Sequence, residues 1–512
     1  MKLWYSKGEA MGENFDVVII GSGLGGLLCG AILGKNGYKV AVLEKNPQIG
    51  GCLQSYKRDG GLFDTGVHYI GGLEKGQTLN KIFAYVGILE RIKLKRFDNE
   101  GFDLIKFGDS NKEFVYAQSY EKFVDTLADS FPDERDGIEN YCRKIKELCG
   151  RFPLYNLQNG DFMDKMDLLD LNARDTINSF VKDPMLQNVL AGNNCLYAGS
   201  GEKSPFYIHA LILNSYIESS WHCKGGGSQI ATALADVIIE TGGNVFRRAE
   251  VTQILVNDGK ATKVITKDKR EFIGKQFISG LHPAVTVTLT QSDVFRKAYI
   301  NRITKLENTV SVFILNVVFK DSTFPFINKN VYYYSRAENV WSGTDYDESK
   351  WPENYALFMT EGEDGFAHSA SVMCYMKYSE FEPWVETTNT VYQPRLRGSG
   401  YNELKEEKAL KIFELVENQH HGFRKSVASY HTLSPLTYRD YTGTPQGSLY
   451  GIQRDCNEPL KTFVPARTKI PNLLLTGQNL NLHGVLGVSV SSIITCGELL
   501  GVDSLLDKIR NV

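Results

Sequence analysis

Gly21, Gly23 and Gly26 stand in a G-x-G-x-x-G arrangement, and Glu44 follows 18 residues after the last of them. The types and the spacing together suit the binding of a dinucleotide. A first glycine permits a tight turn, a second lets backbone approach a pyrophosphate, and a third lets a helix pack closely on a strand. The N-terminus of that helix turns free N–H groups and a positive dipole end toward phosphate. An acid at the end of the next strand accepts hydrogen bonds from ribose hydroxyls. With 48 glycines in 512 residues, the three-glycine pattern alone arises by chance roughly 0.4 times per chain. Its meaning therefore depends on the elements around it.

Those elements are present in the sequence. The apolar run Val17-Val18-Ile19-Ile20 reads as a buried parallel strand ahead of the loop. Leu27, Leu28, Ala31, Ile32 and Leu33 form the apolar side of a helix that Gly37 stops. Val40-Ala41-Val42-Leu43 is the second strand and ends on Glu44. The next stretch is spent on glycine-rich loop, with Gly50-Gly51, Gly60-Gly61, Gly66 and Gly71-Gly72, where a simple nicotinamide dehydrogenase proceeds to another strand and helix. Backbone wrapped around a larger cofactor explains that expenditure. Near the other end, Leu473-Leu474-Leu475 reads as a strand, Gly477-Gln478 as a turn, and Gly484 to Gly501 as a final helix. A second helix N-terminus suits a phosphate or a ring carbonyl, as a flavin dinucleotide held at both ends requires.

Between these ends the pattern is mixed. Residues 78–220 read mainly as helix, with one small strand pair at Phe102 to Phe107 and Glu113 to Tyr116. Tyr120 to Phe131 and Ile138 to Leu148 are amphipathic, whereas Ser204 to Trp221 is apolar on most faces and predicts a buried or cavity-lining helix. After KGGG, a helix and the strands VTQILV, ATKVITK and EFIGKQFIS form a βαβ unit interrupted by a meander, returning to the first sheet. Val310 to Phe319 and Val331 to Tyr334 read as strands, and Tyr401 to Gln419 as a helix with solvated charges.

Composition narrows the class. A hydrophobic share of 42% over this length fits two or three domains, and a net charge of −3 with pI near 6.4 leaves no footprint for nucleic acid. Nine scattered cysteines without a C-x-x-C pair predict reduced thiols in a cytoplasm, no disulfide framework and no metal site. The first residues, MKLWYSKGEAMGEN, lack a signal-peptide core, with Met11 an alternative start, and no run of 18 apolar residues occurs.

The blocks GSGLGGLLCGAILGKNGYKVAVLEKNPQIGG, FDTGVHYIGG, SPFYIHALILNSYIESSWHCKGGGSQIATAL and IPNLLLTGQNLNLHGVLGV resemble the retinol saturase and carotenoid isomerase branch of the phytoene-desaturase-like flavoproteins. That branch belongs to the wider group sharing a fold with flavin amine oxidases. FDTGVHYIG and the W-x-x-K-G-G block decide the branch. The resemblance implies an α/β fold, with a Rossmann-type FAD-binding domain (GR2-like) and an interleaved α+β substrate domain. The FAD-binding domain takes residues 1–77, 222–290 and 441–512. The substrate domain takes 78–221 and 291–440, its helical part being 120–221.

The same resemblance implies FAD on Gly21, Ser22, Gly23, Leu24, Gly25 and Gly26, with Glu44 and Lys45 at the end of the second strand. Gly50 and Gly51 fall on the pyrophosphate side, and Val251 meets the adenine through its backbone. Gly477 and Gln478, with Gly484, Val485 and Leu486, lie along the pyrophosphate, ribityl chain and flavin ring; many relatives carry an acid where Gln478 stands. His68 and Tyr69, in the loop beside the flavin, are candidates for a proton donor or substrate anchor, against plain packing on the ring. Lys224 is a candidate charge for the reduced flavin, against an ordinary surface lysine, and His483 reads as helix-start packing before catalysis. Phe206, Tyr207, Tyr216 and Trp221 line a long apolar tunnel or pack as core, and His420-His421 read as surface.

The implied activity is saturation, desaturation or cis/trans isomerisation of carbon–carbon double bonds in an apolar, isoprenoid or polyene-like substrate. FAD is the cofactor, with NAD(P)H as a transient electron donor. The competing readings are a flavin amine oxidase acting on C–N bonds and a non-catalytic carrier of FAD or lipid. A polyene lives in lipid, so the expectation is a cytoplasmic protein with peripheral contact on the inner face of a membrane, through the helical region 120–220. The sequence does not fix an oligomeric state.

Overall fold

A computed structural model describes residues 14–512 apart from 161 and 364, with the backbone alone at 162–164 and 291. The alternative start at Met11 lies outside the described residues. The first strand, Asn14–Ile20, sits inside a sheet of five parallel strands in the order Asn244–Phe246, Val40–Leu43, Asn14–Ile20, Glu271–Ser279 and Leu473–Leu475. Their register is level at one end. Phe246 pairs with Leu43, Leu43 with Ile20, Ile20 with Ser279, and Ser279 with Leu475. The carboxyl ends of five strands thus form one row, from which Gly21, Glu44, Gly280 and Thr476 leave on the same edge.

The first strand's two neighbours come from distant parts of the chain. Val40–Leu43 follows through the helix Leu24–Lys35, while Glu271–Ser279 arrives from beyond residue 270. A crevice at such a reversal of strand order is where open α/β sheets bind ligands. The expected meander is present. Val251–Asn257, Lys260–Thr266 and Glu271–Ser279 run antiparallel, and the last strand changes partner midway. Its residues 271–273 pair with the meander, and 277–279 pair with Leu473–Leu475.

A second sheet of seven strands holds the substrate half, in the order Val427–Leu433, Ser311–Phe319, Ala367–Met376, Asn354–Glu361, Asn330–Tyr334, Asp103–Phe107 and Glu113–Tyr116. The small strand pair expected at 102–116 is its edge, joined through parallel pairing of Asp103–Phe107 with Asn330–Tyr334. Three of its strands escape the sequence reading. Asn354–Glu361 and Ala367–Met376 are buried on both faces for most of their length and so lack a period of two, while Val427–Leu433 mixes polar with apolar residues and is mostly half-exposed. Against this half pack the helices Tyr120–Ser130, Arg135–Gly150 and Phe206–Glu218, the last nearly all buried as expected.

Several expectations need correction. The boundary at 77/78 cuts a core, because Thr78–Val86 buries Leu79, Ile82 and Phe83 with the apolar side of Leu24–Lys35. The boundary at 290/291 is also too early, because Phe295, Ile303 and Leu306 pack on the other face of the parallel sheet. Periodicity shows that a helix has an apolar face, but not which core receives it. The glycine-rich stretch is not all loop, since Ser55–Arg58 and Gly61–Asp64 form a hairpin. Within Ser399–Gln419, Lys408 is buried and pairs with buried Glu380, so its charges are not all solvated. His420 is half-buried, with its Nε2 enclosed, and only His421 is exposed.

Candidate active site

The row of strand ends opens on a cavity of about 400 Å³. Its walls include every residue expected at the cofactor except Leu486: Gly21 to Gly26, Glu44, Lys45, Gly50, Gly51, Val251, Gly477, Gln478, Gly484 and Val485. Leu486 lies next door, in a small cavity of about 50 Å³ that shares Gly484 and Val485 with the first. Tyr69, Tyr216 and His483 line that second space. The sheet register brings the segments that begin at Gly21, Glu44, Gly280 and Thr476 together across long sequence separations.

Local chemistry then shapes the walls. The amide of Leu27 donates to the Gly23 carbonyl at 3.0 Å, so the N–H groups of Leu24 to Gly26 precede the first intrahelical bond. A Cβ at Gly26 would sit 2.1 Å from the Gly21 carbonyl oxygen, which only glycine avoids. A Cβ at Gly23 would meet nothing within 4 Å and would project into the open space a pyrophosphate needs. Glu44 is buried and held from both sides. Its Oε2 accepts from the Ser22 hydroxyl at 2.5 Å and the Ser22 N–H at 3.2 Å, and its Oε1 accepts from the Asn46 N–H at 2.7 Å. Gly50 donates to the Ser22 carbonyl at 3.0 Å, tying the second glycine pair to the first loop.

On the opposite wall, Gly477 takes φ +101°, and its backbone lies 3.0 Å from where a Cβ at Gly25 would stand. Buried Arg454 fixes this turn by donating to the carbonyls of Asn479 and Leu480, both at 2.8 Å, and to that of Thr462. Lys45 donates to the Asp440 carbonyl at 3.0 Å, and burial lowers its pKa against the opposing pull of Glu44, Glu250 and Asp440.

The proposed chemical residues divide. His68 stacks on Phe358 with ring centres 4.1 Å apart and planes within 4°, and its nitrogens have no hydrogen-bond partner among the described residues. Burial pushes its pKa down to about 4, so the imidazole is neutral at physiological pH. Tyr69 lines the small cavity and donates to Asp103 Oδ2 at 3.0 Å. His483 stands at the N-cap position of the helix Gly484–Leu500, which is followed by a last helix, Val502–Arg510; its Nε2 lies 2.9 Å from the Leu196 carbonyl, which can only accept, so Nε2 carries the proton. Its ring packs beside Tyr450 at the helix start and lines the small cavity. Lys224 is the clear miss. Its side chain is 56% exposed, its ammonium lies 3.8 Å from Glu361, and it lines neither cavity. A lysine beside a glycine run looks close to a cofactor in sequence, but the turn at Gly225-Gly226 carries it outward.

Other wall residues escape the sequence reading: Gly280, Leu281 and His282, and the segment Tyr441 to Thr444. Gly280 leaves the end of EFIGKQFIS as Gly21 leaves the first strand, a parallel that the sequence already carries. Nothing comparable marks Tyr441 to Thr444.

With the geometry in place, comparison with known proteins is direct. Residues 24–350 match the family described as "Flavin containing amine oxidoreductase". The chain belongs to that family. It is 26% identical to the all-trans-retinol 13,14-reductase of Danio rerio, over 95% of this chain and 86% of that one. A prolycopene isomerase from an Oncidium hybrid cultivar is 30% identical over 52% of this chain and 48% of its own. The crystal structure of an oxidoreductase from Methanosarcina mazei shares the fold, with a TM-score of 0.62, 18% identity, and 94% and 99% of the two chains covered. The cavity suits the family's flavin: a glycine-lined space with no Cβ at Gly23, an anchored carboxylate, and a helix N-terminus on each side.

Proposed function

We propose that this protein is an FAD-dependent oxidoreductase that saturates, desaturates or isomerises carbon–carbon double bonds of an apolar polyene. The observation that carries the reading is the near full-length similarity to a retinol 13,14-reductase, joined to a cofactor cavity with a small apolar space beside it, lined by Tyr69, Tyr216 and Leu486. In this reading Gly21 to Gly26, Gly50 and Gly51 hold the pyrophosphate, and Glu44 the ribose hydroxyls. Val251 meets the adenine, and Gly477, Gln478, Gly484 and Val485 flank the ribityl chain and ring. When bound, the flavin accepts or supplies a hydride, and the chain's own task is to orient an apolar substrate, exclude water and move one proton. Of the two candidates for that proton, Tyr69 lines the small cavity, whereas His68 lines neither cavity and is stacked on Phe358. A nicotinamide nucleotide is the proposed electron donor.

Membrane contact belongs to the same proposal, but its place shifts. Among the described residues, 120–221 carry no large exposed apolar side chain, whereas Val391, Tyr392 and Leu396 are exposed together beside exposed Arg395. The Val391 N–H donates to the phenol of Tyr441, a wall residue of the main cavity, so this segment adjoins the site.

The test is to purify the protein, record its absorption spectrum, and supply all-trans-retinol or prolycopene with dithionite or NAD(P)H under anaerobic conditions. A product two mass units heavier means saturation, and an isomer of equal mass means isomerisation. Inert polyenes, with peroxide release when amines are supplied in air, would place the chain with amine oxidases instead.

A further inference from the structure

A buried acid that the cofactor site does not use lies behind the small cavity. Asp103, the first residue of its strand, is 0% exposed. Its Oδ2 accepts from the Tyr69 phenol at 3.0 Å and from Asn193 Nδ2 at 3.5 Å, and its Oδ1 accepts from Asn330 Nδ2 at 2.9 Å. The Tyr69 oxygen also lies 2.8 Å from that of Tyr332. The titratable groups facing Asp103 are all phenols. Tyr69 comes from the glycine-rich loop, Tyr332 and Tyr116 from the two flanking strands, and Tyr216 from the aromatic helix. No ammonium or guanidinium group pairs with it among the described residues.

An ionised carboxyl here has donors but no counter-charge, and burial pushes its pKa up to about 7. Packing alone would be served better by a neutral side chain. On the cavity side, Tyr69 stacks on Tyr216 with ring centres 4.3 Å apart, and both line the space beside Gly484 to Leu486. The phenol of Tyr69 has one O–H to give. With Asp103 ionised, that O–H is held on Oδ2. With Asp103 protonated, the carboxyl O–H donates to the Tyr69 oxygen instead, and the Tyr69 O–H is released toward Tyr332 or the cavity.

We propose that Tyr69 is the proton donor to the substrate and that Asp103 is the positioning residue that arms and recharges it. This rests on the polyene reading and deepens it. In saturation, a bound reduced flavin would supply the hydride for one C–H bond as the π bond breaks, and the Tyr69 proton forms the other. The Asp103 proton moves to the Tyr69 oxygen, and the ionised carboxylate is reprotonated from solvent before the next turnover. Two electrons and two hydrogens are thereby accounted for.

The test uses the flavin-loaded wild type, Asp103→Asn and Tyr69→Phe, each checked for an unchanged flavin spectrum. Wild-type turnover of retinol is expected to fall as pH rises through about 7. Tyr69→Phe should lose on the order of 100-fold or more, and Asp103→Asn roughly 10-fold or more together with that pH limb. Infrared spectra of the wild type should show a protonated-carboxyl band that disappears across neutral pH and is missing from Asp103→Asn, a readout independent of turnover. A pH limb that survives in Asp103→Asn, or a wild type without the titrating band, overturns the proposal. A wild type that turns over no polyene overturns the functional reading and the donor role with it. The infrared band separates that failure from a failure of Asp103 to hold a proton.

Discussion

Glu44 and Asp103 are both buried carboxyl groups, one in each half of the molecule, and their surroundings differ in kind. Glu44 is held by two backbone N–H groups and a serine hydroxyl at the lip of a cavity lined by glycines. Asp103 is held by side chains alone, two amides and a phenol, inside an aromatic cluster. The cofactor half makes its site mainly from backbone, placed by the level register of five strand ends. The substrate half makes its site from side chains carried on a mixed sheet and the helices over it. The first arrangement fixes a ligand common to a whole family, and the second is where substrate and proton chemistry can diverge.

Gly26→Ala should break the comparison at the cofactor end. With a Cβ 2.1 Å from the Gly21 carbonyl oxygen, the loop must move. We expect destabilisation of more than about 4 kcal/mol and loss of bound flavin, measured by denaturant unfolding and visible absorbance. At the substrate end, Asp103→Asn should show what the buried acid costs. Its pKa is raised from 3.8 to about 7, so the folded chain binds more protons than the unfolded one between those values, and stability falls as pH rises through that window. The asparagine variant should therefore gain on the wild type with rising pH, by at most about 4 kcal/mol above pH 7, read from paired urea titrations.

Glu44→Ala is a smaller change and sharpens the contrast. Losing charged hydrogen bonds of about 1.5–3 kcal/mol should weaken flavin binding roughly 10- to 100-fold, read by fluorescence titration of the apoprotein, without moving the pH dependence assigned to Asp103. Lys224→Ala should do least. An exposed ion pair with Glu361 contributes about 0–1 kcal/mol, so flavin binding and turnover should match the wild type. A large loss there would return Lys224 to the active site.

The same contrast explains what the sequence reveals. Gly21, Gly26 and Gly477 are legible because close backbone approach or positive φ leaves glycine as the usable residue, Gly23 because its spacing completes the pattern, and Glu44 because it ends a strand at a set distance from the loop. Asp103 is not legible, since a lone acid at a strand start resembles any solvated acid until the fold brings Tyr69, Asn193 and Asn330 around it. Lys408 fails for the same reason, because a lysine in a charged helix shows nothing of its buried partner Glu380. Helix Thr78–Val86 is visible as a helix, but its place in the nucleotide core depends on contacts far along the chain.

The most direct test is the visible spectrum of the purified protein followed through anaerobic reduction in the presence of retinol. The account predicts flavin absorption bands that bleach on reduction and recover as the polyene is saturated. Protein that folds yet stays colourless after incubation with excess FAD would contradict it.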